Sequence, residues 1–205
     1  KLRSVARSHK VTLYQYLLCA FFKTMAEKGG STDLTIGISQ AGQTLSEFSS
    51  LVGHCVGLLP IRISDYDPFN FSANLLKVKS AMLDAQKHSG LSFGEVCEVA
   101  CSQRDPSRVP LVPITFNLDV QPEGQGLNFT GLKSKFYTNP RFFENFEMFI
   151  NLTLIGDKAV IENQFNTDLF AAEEIKSLQK VYSDFLDHLA DGLEASDFKF
   201  NFIEQ

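Results

Sequence analysis

An α/β fold, a mixed β-sheet covered by helices, is what the hydrophobic patterning of this chain predicts. Three observations carry the expectation. Apolar residues recur at helical spacing over 13–25, 75–83 and 175–189. They alternate with polar residues over 34–38 and 148–154. The two periodicities interleave along the chain, and no internal repeat or low-complexity segment interrupts them.

The first ten residues hold Lys1, Arg3, Arg7 and Lys10 with no acid, and the 3, 7, 10 spacing lays three charges along one solvated helical face. Thr12 and Gln15 have capping-box spacing. Leu13, Leu17, Phe21 and Met25, with Leu18 and Phe22, then form a wide apolar stripe that Gly29-Gly30 ends. Leu34, Ile36 and Ile38 alternate with Thr35 and Gly37, which predicts a strand over 33–39. Residues 45–51 have room for one or two helical turns. Val56 to Ile63 is almost continuously apolar, the pattern of a strand covered on both faces. After a turn at 65–68 a long helix is predicted, with Leu75, Val78, Met82 and Leu83 inward and Lys77, Lys79 and Lys87 outward. Ser92 and Glu95 open a short helix that runs to Ala100.

The second half holds a strand over 112–119, a polar break at 121–126 and irregular β-structure over 127–137. Met148, Ile150, Leu152 and Leu154 share one strand face, and Gly156-Asp157 turns that strand back into Lys158 to Phe165. The last helix, 172–190, buries Ile175, Leu178, Tyr182, Phe185 and Leu189 and stops at Gly192. Residues 193–205 form a tail, an ordered linker or an added strand, in which Phe198, Phe200 and Phe202 alternate.

Composition excludes several classes of function. The 205 residues suit one domain or two closely packed lobes. Nineteen Lys and Arg against 24 Asp and Glu leave a net charge of −5, so the basic footprint of a nucleic-acid binder is missing. No apolar run reaches the roughly 18 residues of a membrane helix; Leu13 to Phe22, the longest, is interrupted by Gln15 and bounded by Lys23. With no initiator Met and no secretory leader, the expectation is an excised piece of a cytoplasmic protein, and the sequons at Asn70, Asn128 and Asn151 are chance matches. Cys19, Cys55, Cys97 and Cys101 lack zinc-site spacing and read as small buried thiols, so no metal is expected.

Chemistry visible in the residues is thin. Gly37-Ile-Ser-Gln-Ala-Gly42 lacks the Lys-Ser/Thr of a phosphate loop and reads as a turn. Ser39, Ser46 and Ser50 stand in no G-x-S-x-G frame. His9, His54, His88 and His188 lie far apart. His54, between Gly53 and Cys55 beside the apolar strand, is the one histidine in a site-like setting, with a structural hydrogen-bonding role favoured over catalysis. Asp184, Asp187 and His188 fit an exposed helix face. Spacing alone describes a non-enzyme.

Four segments, in order, resemble the later core motifs of the condensation domain of nonribosomal peptide synthetases. Val52-Gly-His-Cys-Val-Gly-Leu-Leu-Pro-Ile-Arg62 resembles I-G-x-F-V-N-T-L-x-x-R, and Gln86-Lys-His-Ser-Gly-Leu-Ser-Phe93 is loosely similar to H-Q-x-x-P-F. Arg104-Asp-Pro-Ser-Arg-Val-Pro-Leu111 matches R-D-x-S-R-x-P-L, and Gln164-Phe-Asn-Thr-Asp-Leu-Phe170 looks like Y-N-T-D-L-F. Together they cover about residues 11–190. The family's His-His-x-x-x-Asp-Gly motif has no counterpart here, since no two histidines are adjacent.

The resemblance therefore implies only the C-terminal lobe of a condensation domain, in a chloramphenicol-acetyltransferase-like fold, over residues 1–192. It implies an amide-forming (or ester-forming) acyl transfer between aminoacyl and peptidyl thioesters, inactive in this lobe alone. The implied partners are the N-terminal lobe and the donor and acceptor peptidyl carrier proteins, whose phosphopantetheine arms enter a tunnel; this lobe itself binds no cofactor. Ser39, His54, Gly57, Leu58 and Asn117 become the expected tunnel-wall positions, and 120–145 the expected crossover to the other lobe.

Departures from the family pattern are Gly57-Leu58 for Asn-Thr, Gln43 for a common Arg, and Ala171 for the Asp that caps the last helix. His54-Cys55 replaces bulky apolar residues, a variant associated with hybrid polyketide–peptide assembly lines. Two other readings stand beside this one: a degenerate domain that only holds carrier proteins, and a CoA-dependent acyltransferase of the same fold.

Overall fold

The centre of the core is a helix that is apolar nearly all round. Leu17, Leu18, Cys19, Ala20, Phe21 and Phe22 are all buried on α2 (Leu13–Gly29). The computed structural model describes residues 1–42, 50–101, 105–121, 130–132, 143–156 and 158–202. Thr12 Oγ1 accepts from the Gln15 amide at 3.2 Å and Gln15 Oε1 from the Thr12 amide at 3.0 Å, the predicted capping box. Gly30, at φ +62°, closes the helix in the left-handed conformation that glycine adopts without strain. A charge of this helix is sealed inside: Lys23 Nζ pairs with Glu27 at 2.8 Å, donates to the Pro68 carbonyl at 2.9 Å and lies 5.1 Å from the Phe200 ring centroid.

Five strands form one mixed sheet: β1 (Leu34–Ala41), β2 (Val56–Ile63), β3 (Ile114–Gln121), β4 (Met148–Ile155) and β5 (Lys158–Phe165). Their order is β2-β1-β3-β4-β5. β1 runs antiparallel to β2 and parallel to β3, β3 is parallel to β4, and β4 is antiparallel to β5. Ile36, Ile38, Leu59, Ile61, Phe116, Met148, Ile150 and Leu152 turn into a single cluster with α2, α3 (Phe71–Lys87) and α5 (Ala172–Ala190). Tyr182 on α5 reaches across and donates to the Leu17 carbonyl at 3.0 Å. The remaining helices are α1 (Leu2–Ser8) and α4 (Phe93–Ala100), the latter opened by the Ser92–Glu95 capping box.

Several expectations need correction. β2 buries Leu59, Ile61 and Ile63 on one face and exposes Val56 and Arg62 on the other, so its apolar run does not mark a strand covered on both faces. Leu83 is 45% exposed, because α3 buries only the narrower stripe Leu75, Val78 and Met82. α1 ends at Ser8 and Lys10 stands at φ +58°, so Lys10 leaves the helical face of Arg3 and Arg7. Residues 37–41 continue strand β1, where a turn was expected. The tail forms no strand through residue 202: Ala195–Asp197 is a 3-10 turn, and the rings of Phe198 and Phe200 pack, tilted, with centroids 5.1 and 5.0 Å from that of Phe185. Residues 45–49 and most of 120–145 lie outside the described residues.

The last helix begins without a capping side chain, as Ala171 implied. Glu174, three residues on, reaches back to accept the Ala171 amide at 3.1 Å, which satisfies one of the orphan donors. Asp168 does not substitute, since no side chain makes a cap hydrogen bond at this helix start.

Candidate substrate face of the sheet

Strand parity builds the site. Ile36 and Ile38 point into the helices, so Gly37 and Ser39 must point out of the opposite face. Leu58 lies opposite Ser39, Asn151 opposite Asn117, and Glu162 opposite Asn151. The β1–β3 register ends with Ile38 opposite Phe116, and Ser39 and Asn117 are the residues that follow that last pair. By strand parity Leu58, Ser39, Asn117, Asn151 and Glu162 share the outer face as one row. Asn117 Nδ2 donates to Asn151 Oδ1 at 2.9 Å and to Asp119 Oδ1 at 3.1 Å, and Asn151 Nδ2 donates to Thr153 Oγ1 at 3.2 Å.

A second row, Pro60, Gly37, Thr115, Phe149 and Gln164, runs beside the first. A loop covers its β1 end. A Cβ on Gly37 would overlap Val112 Cγ1 and lie 2.9 Å from Leu58 Cδ1 and 3.1 Å from Thr115 Cγ2. Only glycine leaves room for Val112 to seat there. Leu111, just before it, takes a left-handed φ of +62°, which a non-glycine residue adopts only when its surroundings impose it.

Beside this loop lies a junction at Glu147, a residue only 7% exposed. Arg108 forms a two-pronged pair with it, Nε to Oε1 and Nη2 to Oε2 at 2.9 Å each. The Glu147 amide donates to the Pro113 carbonyl at 2.9 Å, and its carbonyl accepts from the Asn166 amide at 2.9 Å. Two of the sequence motifs, the one containing Arg108 and the one containing Asn166, therefore meet on a residue in neither. Asp105 completes the turn by accepting from the Ser107 amide at 2.9 Å and hydroxyl at 2.6 Å, bonds that hold its carboxyl below the ordinary aspartate range. Arg104 lies outside the described residues.

Of the five positions expected from the motifs, Ser39, Leu58 and Asn117 come together on one row. Gly57 pairs with Gln40 and belongs by parity to the other face. His54 is exposed in the stretch before β2, and no hydrogen bond to it is found among the described residues. The Gly42 amide donates to the Cys55 carbonyl at 2.5 Å.

His88 is tied to its own helix end, Nδ1 to the Asp84 carbonyl at 2.8 Å. Cys19 is buried, and burial pushes its thiol pKa up; Cys97 is buried, while Cys55 and Cys101 are half-buried rather than core thiols. No cluster of three potential metal ligands occurs among the described residues.

Asn151, Glu162, Val112 and Glu147 were not picked out from the sequence. The first two were within reach: a two-residue turn that pairs Ile155 with Lys158 also sets Asn151 opposite Glu162. The contacts of Val112 and Glu147 are long-range and carry no local signal.

The geometry can now be set beside known proteins. A family model described as condensation domain matches residues 1–204. The chain belongs to the condensation-domain family. Among relatives, nonribosomal peptide synthetase penN of Penicillium thymicola is 30% identical over 188 residues, 90% of this chain and 7% of that protein. Tyrocidine synthase 3 of Brevibacillus parabrevis is 26% identical over 196 residues, 96% of this chain and 3% of that protein. The chain thus spans a small fraction of the length of these synthetases.

In structure, the X-domain from teicoplanin biosynthesis superposes with a TM-score of 0.82 at 19% identity, covering 98% of this chain and 46% of that one. The condensation domain from the monacolin K polyketide synthase MokA gives 0.78 at 19%, covering 95% and 45%. The five-stranded mixed sheet with its helices is the chloramphenicol-acetyltransferase-like fold of condensation domains, matched over less than half of their length. No helix among the described residues is long and apolar enough to cross a membrane.

Proposed function

We propose that this chain is the C-terminal half of a condensation domain and forms one wall of a tunnel in which carrier-bound aminoacyl and peptidyl thioesters are joined by amide bond formation. The supporting observation is the one-sided sheet: helices bury one face, while the other carries a cross-strand row on which motif-derived Ser39, Leu58 and Asn117 align. The phosphopantetheine arms belong to the carrier proteins, and the row would guide them. The reactive imidazole would come from the other half. Such a wall contributes by positioning, since holding two tethered reactants together removes much of the entropic barrier to their meeting.

The test supplies loaded donor and acceptor carrier proteins to the full-length protein and to residues 1–205 alone, with the amide product read by mass spectrometry. Product from the full-length protein and none from the shorter chain is expected. Amide formed by residues 1–205 alone would overturn the half-domain reading. A full-length protein that binds carriers without joining their cargo would favour a carrier-holding module, to which the apolar Gly57-Leu58 already leans.

A further inference from the structure

On the helix-covered side of the sheet, a cleft of about 790 Å³ opens between α5, the start of α1 and the β4–β5 turn. Its floor is apolar. Leu13 and Leu17 of α2, Leu152 and Leu154 of β4 and Ile161 of β5 line it, faced by Leu186 of α5. Leu13, Leu154 and Ile161 are only half-buried, so the cleft holds apolar area that a ligand could remove from water. α5 lines it from Lys176 to Ala190, a run of roughly 21 Å at 1.5 Å per residue. Gln179 bridges the two long walls: its Nε2 donates to the Ile161 carbonyl at 2.9 Å, and its Oε1 accepts from Asn163 Nδ2 at 2.9 Å.

The rim carries the opposite chemistry. Five basic residues line the cleft against two acidic ones, in a chain whose net charge is −5. Lys180 is answered by Asp184 at 2.6 Å. Lys1 pairs with Asp191 at 2.8 Å, which sets the start of α1 beside the end of α5. Lys176 stands 3.9 Å from Glu173, beyond hydrogen-bond reach. The Arg3 side chain has no hydrogen-bond or ion-pair partner among the described residues. An unpaired guanidinium at the mouth of a long apolar cleft matches an anionic head on an apolar tail, because its fork of donors fits a carboxylate.

We infer that this cleft binds a long-chain carboxylate, its head paired with Arg3 at the α1 end and its tail lying along Leu17, Leu152 and Ile161 beneath α5. The site lies on the other side of the sheet from the proposed tunnel, so it stands or falls apart from that reading.

The experiment titrates the full-length protein with dodecanoate, below its micelle-forming concentration, and follows binding by calorimetry. Hydrogen–deuterium exchange locates the bound surface. Dodecanol has the same tail without the charge, and acetate the same head without the tail. Dodecanoate should bind, protect 154–161 and 176–190, and exceed dodecanol in affinity roughly tenfold, while acetate gives no heat. Arg3→Gln should lower dodecanoate to the affinity of dodecanol. Dodecanol binding itself should stay unchanged, which also checks that the variant folds. No binding of dodecanoate would overturn the inference, including the case in which another segment of the full-length protein already shields these amides. Protection only elsewhere, equal affinity for dodecanoate and dodecanol, or an Arg3→Gln variant that binds dodecanoate as before would overturn it too.

Discussion

The two faces of the sheet are made by the same five strands, and neighbouring residues serve opposite ends. Facing the helices, Ile38, Phe116 and Ile150 are at most 3% exposed. One residue further along each strand, Ser39, Asn117 and Asn151 line a polar row. Apolar area removed from water holds the first face together, at about 25 cal/mol per Å². On the second face the ordering comes from hydrogen bonds among carboxamides, each worth only about 1 kcal/mol net. Core packing and the proposed substrate contacts are thereby separated by one step of strand parity, so substitutions on the two faces should have separable effects.

The most severe test removes a ring from the helix-covered face. Phe116→Ala should lose about 3–5 kcal/mol of stability in denaturant titration, because the side chain is fully buried against Tyr14 and Phe21. A loss under about 1 kcal/mol would mean the core is not organised around that strand.

Gly37→Ala sharpens the comparison at the seam between the faces. The new methyl must displace Val112, so about 1–3 kcal/mol should be lost, and Val112→Ala in the same chain should recover part of it. Simple additivity of the two changes would show that Val112 does not seat on Gly37. Smallest is Asn117→Ala on the outer face. Its cost in the same titration should stay within about 1 kcal/mol, while amide formation by the full-length protein falls. An effect on stability as large as that of Phe116→Ala would erase the distinction between the faces.

Much of the fold was legible in the residues, for local reasons. Caps declare themselves within four positions, as Thr12–Gln15 and Ser92–Glu95 do. The β4–β5 hairpin follows from a two-residue turn signal and the alternating run before it. Reading failed where the decisive partner was remote. An apolar run such as 56–63 says that a strand is buried, not on how many faces, and β2 leaves Val56 and Arg62 exposed on its outer face. Leu83 fits the helical period of α3, but the surface that α3 meets is narrower than its stripe. The candidate site was legible in part: motif resemblance led to Ser39, Leu58 and Asn117, whereas Gly57 lies on the wrong parity to join them.

Chain order and side-chain chemistry were enough to set the α/β class, the helix ends, the hairpin and the family. Those depend on neighbours within a turn or a short strand pair, where the spacing of the chain is itself the geometry. Which residues share a row, why residue 37 must be glycine, and why Arg108 and Asn166 converge on Glu147 were decided only in three dimensions. Contacts between strands or loops dozens of residues apart depend on sheet order and packing, and nothing periodic in the chain encodes them.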